Sequence, residues 1–174
     1  MTTANKLTIL RIILVPVFLG VLYAGFPGCN YWALAIFIIA SLTDLLDGYI
    51  ARHYNQITNF GKFMDPLADK ILVMSAMCWF VESGKMPGWA LAIVLLREFA
   101  VSGMRLVAVE QGRVIAAAWS GKVKTASTMV ALCLMMLGIP DWLNTLCVVV
   151  IVATTVYSGI EYFWKNKDVF KNAD

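Results

Sequence analysis

Charge is scarce in this sequence. Only 14% of its 174 residues are charged, whereas 60% are hydrophobic. A soluble domain normally carries about a quarter charged residues, so this composition predicts a membrane protein. The net charge of +3 is small, and no basic run with interleaved aromatic residues occurs. These two features argue against a nucleic-acid-binding protein.

Residues for histidine-based or zinc chemistry are also few. His53 is the only histidine, which leaves little for a histidine metal cluster or a Ser-His-Asp triad. The four cysteines (Cys29, Cys78, Cys133 and Cys147) are scattered without C-x-x-C spacing. We interpret them as small apolar residues and expect neither a disulfide framework nor a zinc site.

Apolar runs, by contrast, fill the chain. A membrane-spanning helix needs about 20 mostly apolar residues, and six such segments are separated by stretches rich in glycine, proline or polar residues. They cover residues 5–26, 31–53, 62–83, 87–110, 121–138 and 142–164. Arg11 interrupts the first segment and no small-residue cleavage site follows it, so we expect a retained helix and not a signal peptide. The sequence predicts an all-α integral membrane protein, a single domain over residues 1–174 with six transmembrane helices in one bundle.

Lysine and arginine are distributed unevenly between the two sides of such a bundle. The opposite side from the termini has Lys85 alone. The side of the termini collects Lys6, Arg11, Arg52, Lys62, Arg113, Lys122, Lys124, Lys165, Lys167 and Lys171. Positive residues favour the cytoplasmic side, so we expect both termini to be cytoplasmic.

Four aspartates lie in the stretch DLLDGYIARHYNQITNFGKFMDPLAD, residues 44–69. Asp44 and Asp47 fall near the cytoplasmic end of the second helix, and Asp65 and Asp69 fall in the first turns of the third. Residues three or four apart share a helix face, so two neighbouring helices would bring four carboxylates together. Two charges ~4 Å apart repel by ~4 kcal/mol at an effective dielectric of about 20, so either cations neutralise these carboxylates or some stay protonated. Hard divalent cations (Mg²⁺, Mn²⁺ or Ca²⁺) fit such ligands, and a pair of them suits phosphoryl or phosphatidyl transfer.

Small residues follow the first aspartate pair. Gly48 and Ala51 would leave a slot against the helix surface, and a glycine within a helix costs ~1 kcal/mol relative to alanine. Arg52 adds a fork-shaped donor for phosphate oxygens. This stretch therefore favours a bound nucleotide beside the metal site.

The complete pattern reads D-x-x-D-G-x-x-A-R, eight residues, G-x-x-x-D-x-x-x-D. At every fixed position it resembles the signature of the CDP-alcohol phosphotransferase family, six-helix membrane enzymes that move a phosphatidyl or similar group from a CDP-linked donor to an alcohol and release CMP. The resemblance implies that Asp44, Asp47 and Asp65 bind two Mg²⁺ or Mn²⁺ ions, and that Asp69 also borders the metals and acts as general base. It further implies that the CDP part is contacted by Asp47, Gly48, Ala51, Arg52 and Gly61.

The acceptor alcohol depends on the second half of the chain. REFAVSGMR places Arg97 and Arg105 on roughly one face of the fourth helix, and SGKVKT places Lys122 and Lys124 at the start of the fifth, where backbone N–H groups favour anions. We expect these four cations to form a pocket next to the aspartates that takes a phosphorylated acceptor.

The same segments, with NKLTILRIILVPVF and LADKILV, resemble the bacterial branch of the family that makes phosphatidylglycerophosphate. That resemblance implies CDP-diacylglycerol as donor, sn-glycerol 3-phosphate as acceptor, and a homodimer surrounded by membrane lipids. It also implies a place in the bacterial inner membrane with the active site facing the cytoplasm. The last helix carries no distinctive feature, and we assign it no role.

Three alternatives stay open from the residues. The same chemistry could use inositol phosphate, serine or phosphatidylglycerol, although a neutral acceptor would not need so many cations. A divalent-cation transporter would place its carboxylates near the bilayer midplane rather than at one interface. In a membrane scaffold, the aspartates would merely pair with Arg97 and Arg105.

Overall fold

A computed structural model describes the backbone of residues 3–53, 59–113, 115–116 and 118–168, and the side chains of 7–43, 64, 67–68, 70–113, 115–116 and 118–168. In this part of the chain every regular element is an α-helix. The helices are α1 (Thr3–Ala24), α2 (Cys29–His53), α3 (Asn59–Glu82), α4 (Gly88–Glu110), α5 (Trp119–Met136) and α6 (Asp141–Lys165). The all-α prediction is confirmed, and each predicted segment corresponds to one helix, with small differences at the ends.

Two segments of these helices are long and apolar enough to cross a membrane, judged by length and composition over the described residues: Leu7–Ala24 and Asp141–Lys165. A shorter apolar segment, Cys29–Thr43, forms the first part of α2. Apolar helices of this length are what a membrane location requires.

Local sequence accounts for where α4 ends. Gly112 adopts a φ of 71°, a left-handed conformation that glycine enters without a steric penalty. Its N–H donates to the carbonyl of Val109 at 2.9 Å, and the N–H of Arg113 donates to the carbonyl of Ala108 at 2.8 Å. This pair of bonds is a Schellman motif, which satisfies carbonyls that the end of a helix would leave without partners.

The chain divides into two compact units. The first comprises Met1–Glu82 with Met136–Gly138, and the second comprises Ser83–Met135 with Ile139–Asp174. The expectation of a single domain over residues 1–174 stays a prediction.

In the first unit, α1 packs against α2 and α3, and α2 also contacts α3. Phe18 of α1 and Phe37 of α2 are buried, with ring centroids 5.9 Å apart and planes tilted by 45°. Leu72 and Phe80 of α3 are fully buried in the same unit. In a membrane, the close packing of these side chains across the three helices stabilises the unit through van der Waals contacts.

Arg11 is the exception within this unit. Its side chain is 0% exposed, and its Nε donates a hydrogen bond to the carbonyl oxygen of Ala40 in α2 at 3.3 Å. The positive charge therefore contacts the neighbouring helix and is not a solvent-facing anchor.

In the second unit, α4 packs along α6. Their buried cluster joins Val101, Met104 and Ala108 of α4 with Tyr162 of α6. Side-chain contacts connect α5 to both partners: Lys124 bonds Glu98 of α4, and the hydroxyls of Ser127 and Thr154 lie 3.3 Å apart. This unit carries all the cations predicted to bind the acceptor.

Candidate functional site

The predicted metal and donor residues lie on two helices that pack together in the first unit. Their side chains are outside the described residues, so their assigned roles stay predictions. Asp44, Asp47, Gly48, Ala51 and Arg52 belong to the second half of α2, and Gly61, Asp65 and Asp69 belong to the first half of α3.

The chemistry of this donor set fits a hard divalent cation. Four carboxylates offer only oxygen ligands, which Mg²⁺ and Mn²⁺ prefer, and the helices that carry them contact each other. Among the described side chains, no group of three or more His, Cys, Asp or Glu residues could hold a metal ion.

In the second unit, Arg97 and Lys124 both contact the same carboxylate oxygen of Glu98. We call these three residues the Glu98 cluster. The Nη1 of Arg97 lies 2.9 Å from Oε1 of Glu98, and the Nζ of Lys124 lies 2.7 Å from the same oxygen. The side chains of Arg97 and Glu98 are mostly buried, and that of Lys124 is only 6% exposed. Two positive charges and one negative charge leave the cluster with a net charge of about +1 when all three groups are ionised.

Arg97 runs between two glycines from different helices. A Cβ at Gly159 of α6 would lie 3.3 Å from Cγ of Arg97, and a Cβ at Gly121 of α5 would lie 3.5 Å from its Nη2. The Nε of Arg97 is buried, and no described residue accepts a hydrogen bond from it. The two glycines thus make room for the side chain.

Arg105 is held by the last helix. Its Nε donates to the hydroxyl of Tyr162 at 3.1 Å, and its guanidinium carbon lies 5.5 Å from the centre of that ring. Tyr162 is only 2% exposed. A buried aromatic ring with a hydroxyl can both attract a guanidinium over its face and accept a bond from it.

Lys122 has a different environment from Lys124, although only one residue separates them. Lys122 is exposed, and its Nζ lies 5.9 Å from the centre of the Trp119 ring. Residues two apart on a helix point to different faces, which explains why one lysine is buried and the other is not. The four predicted cations therefore occupy three settings: the Glu98 cluster, the Tyr162 contact and the exposed start of α5.

Sequence reasoning missed three participants. Glu98 stands beside Arg97 in the sequence but was given no role, and Gly159 and Tyr162 belong to the helix that was treated as uninformative. A signal for them existed in the stretch SGIEY, where small and polar residues interrupt an otherwise apolar helix.

Comparison with known proteins gives concordant results. The model of the family described as CDP-alcohol phosphatidyltransferase matches residues 1–157. A CDP-diacylglycerol–glycerol-3-phosphate 3-phosphatidyltransferase from Bacillus subtilis is 40% identical in an alignment that covers 98% of this chain and 97% of that protein. Proteins of the same name from Rickettsia bellii (33% identical, covering 95% of this chain and 96% of the relative) and Escherichia coli (41%, covering 72% and 71%) are also similar.

Proposed function

Because the chain belongs to the CDP-alcohol phosphatidyltransferase family, we propose that it transfers the phosphatidyl group of CDP-diacylglycerol to sn-glycerol 3-phosphate. The products are phosphatidylglycerophosphate and CMP, and the pathway is phospholipid synthesis. The observation that carries this proposal is the near full-length similarity to bacterial relatives named for that reaction.

The donor side of the reaction is assigned to the aspartates of α2 and α3. Asp44, Asp47, Asp65 and Asp69 would hold two Mg²⁺ or Mn²⁺ ions, and Gly48, Ala51, Arg52 and Gly61 would accommodate the CDP part. When bound, the metal supplies positive charge that neutralises the diphosphate and the departing CMP. The support is the D-x-x-D-G-x-x-A-R…G-x-x-x-D-x-x-x-D pattern together with the packing of α2 on α3.

Asp69 is assigned the role of general base. Its carboxylate takes the proton from the primary hydroxyl of glycerol 3-phosphate as the hydroxyl oxygen forms a bond to the β-phosphorus of the donor. The bond from that phosphorus to the oxygen shared with CMP breaks, and CMP leaves with the electron pair. A carboxylate can serve because correct placement of the reacting groups supplies much of the rate enhancement.

The acceptor phosphate is assigned to Arg97, Arg105, Lys122 and Lys124. In the described geometry, Arg97 and Lys124 are mostly buried, so an incoming phosphate would interact with them at a lower effective dielectric than in water. Arginine binds phosphate oxygens in a forked geometry, and lysine adds a point charge. A cationic setting of this kind favours a phosphorylated acceptor over serine.

The protein is proposed to span the bacterial inner membrane six times, with both termini and the active site on the cytoplasmic side, and to form a homodimer. The support for the orientation is the excess of lysine and arginine on the side of the termini. In a cysteine-free background, Lys85→Cys should react with a membrane-impermeant maleimide in intact cells. Lys167→Cys should react only after permeabilisation, and the opposite labelling pattern would reverse the orientation.

The decisive experiment measures CMP release by the purified protein with CDP-diacylglycerol and a panel of acceptors. We expect activity with glycerol 3-phosphate in the presence of Mg²⁺ or Mn²⁺, and loss of that activity with EDTA. Preference for inositol phosphate, serine or phosphatidylglycerol would change the acceptor assignment. No CMP release with any acceptor would refute the transferase function.

A further inference from the structure

Glu98 is an unexpected residue in a site meant for phosphate. Its carboxylate would repel an anionic acceptor, yet its Oε1 lies within 3 Å of nitrogen atoms from two proposed phosphate-binding residues, Arg97 and Lys124. Only 14% of the side chain is exposed. A carboxylate at this place must make a favourable interaction that outweighs its repulsion of the acceptor phosphate.

The attraction between Glu98 and the two cations, Arg97 and Lys124, is that interaction. Both contact the same oxygen, so their nitrogen atoms can be no further apart than the two contact distances placed end to end. Two positive charges this close repel each other strongly in a poorly hydrated setting. The Lys124 ammonium is also almost fully buried, and a buried charge without an opposite charge is costly. Glu98 offsets both effects.

The same contact joins two helices. Glu98 belongs to α4 and Lys124 to α5, so their bond fixes the start of α5 against α4. On the other side, a Cβ added at Gly121 or Gly159 would lie 3.5 Å or 3.3 Å from side-chain atoms of Arg97, so the glycine backbones leave the room that Arg97 uses. Arg97 is therefore bonded to Glu98 and flanked by these two glycines, and its buried Nε has no acceptor among the described residues. A buried donor of this kind suits an oxygen of an incoming anion.

We infer that Glu98 is a positioning residue for the acceptor: it holds Arg97 and Lys124 together as one receptor for a phosphate group without itself touching the acceptor. This inference rests on the proposed function and names the residue that organises its acceptor side. It predicts that removing the charge of Glu98 weakens binding of glycerol 3-phosphate, even though an anion has been taken away from an anion-binding site.

The test is steady-state CMP release by full-length protein, with glycerol 3-phosphate varied at saturating CDP-diacylglycerol and then the reverse. Glu98→Gln keeps the shape of the side chain and an acceptor oxygen but loses the charge. We expect its KM for glycerol 3-phosphate to rise at least about tenfold, with kcat and the KM for the lipid donor changed less than about threefold. Glu98→Asp keeps the charge at shorter reach and should raise the same KM about threefold. Glu110→Gln removes an exposed carboxylate from the same helix and should match the unmodified protein.

The kinetic results distinguish a positioning role of Glu98 from competition with the acceptor phosphate and from a purely structural role. An unchanged or lower KM for glycerol 3-phosphate in Glu98→Gln overturns the inference, and a lower value would mean that Glu98 competes with the acceptor phosphate. A fall in kcat together with a similar rise in both KM values would mean that Glu98 has only a structural role, and this would also overturn the inference. If Glu98→Gln does not fold, Glu98→Asp decides, and wild-type kinetics there overturn the inference. If the unmodified protein releases no CMP with glycerol 3-phosphate, the proposed function itself fails.

Discussion

Arg105 and Tyr162 form a two-part contact that joins α4 to α6. The Nε of Arg105 donates to the tyrosine hydroxyl at 3.1 Å, and the guanidinium also lies over the aromatic ring. Because the ring is buried in the cluster of Val101, Met104 and Ala108, it cannot turn freely. The orientation of Arg105 is therefore set by the packing of the last helix.

Replacing Tyr162 with phenylalanine tests this relationship. Tyr162→Phe keeps the ring and its packing but removes the hydrogen-bond acceptor, so Arg105 loses one of its two restraints. We expect the KM for glycerol 3-phosphate to rise about threefold to tenfold with little change in kcat, as a lost hydrogen bond to a charged group would produce. Tyr157→Phe, at an exposed position of the same helix, is the matched control. Equal kinetics in the two variants would show that Tyr162 does not orient Arg105 for the acceptor.

A second prediction concerns the glycine contacts around Arg97. Gly159→Ala would place a methyl group 3.3 Å from Cγ of Arg97, a tight distance that requires a shift of the side chain, whereas Gly121→Ala would make an ordinary contact at 3.5 Å. Gly103→Ala on α4 would meet no atom within 4 Å. We expect the KM for glycerol 3-phosphate to rise about fivefold in Gly159→Ala, less in Gly121→Ala and not at all in Gly103→Ala. The same assay that serves Tyr162→Phe measures all three, and a different order would contradict the described packing of Arg97.

A third prediction is about stability. Arg11→Gln shortens a fully buried side chain, disturbs its bond to the Ala40 carbonyl and leaves polar groups poorly matched. Loss of about 2 kcal/mol is expected for a change of this kind, which corresponds to a fall in apparent Tm of about 4–8 °C for a chain of this size. Thermal unfolding in detergent, followed by intrinsic fluorescence, measures it. Arg113→Gln, which alters an exposed arginine, should leave the Tm within about 1 °C.

A fourth prediction addresses the general base. Asp69→Asn retains size but cannot take a proton, so CMP release should fall by at least about 100-fold. Binding of CDP-diacylglycerol, measured separately, should persist in part, because Asp44, Asp47 and Asp65 are unchanged. Asp168→Asn, at an exposed position near the end of the chain, is the control. Full activity of Asp69→Asn would remove Asp69 from the role of base.

The helices could be predicted from the sequence because their ends coincide with chemically distinct residues. Gly112 ends α4 through its positive φ, and Pro140 immediately precedes α6, where proline is well tolerated. The spacing of Arg97 and Arg105 predicts a shared helix face, and this stays a prediction: Arg105 bonds Tyr162 of α6, and Arg97 lies close to where a Cβ on Gly159 of α6 would stand. Periodicity of 3.6 residues per turn is enough for such statements.

The partners of those side chains could not be predicted in the same way. Adjacent residues on a helix point about 100° apart, so nothing in the sequence indicates that Arg97 and Glu98 would share an interaction. Their meeting depends on Lys124, which another helix contributes. Tyr162 was missed for a similar reason: its role exists only because α6 packs against α4. The different environments of Lys122, which is exposed, and Lys124, which is buried, follow in contrast from helical periodicity and could have been predicted from the sequence.

Arg11 has a consequence for how the protein enters a membrane. An arginine within an apolar helix disfavours membrane insertion of that helix on its own. In the folded chain its Nε bonds a carbonyl of α2, and only the short connection between Ala24 and Cys29 separates the two helices. The first helix thus gains a polar partner as soon as the second lies beside it. We expect α1 and α2 to be integrated as a helical hairpin, so that the smallest unit of biogenesis is the pair and not the single helix.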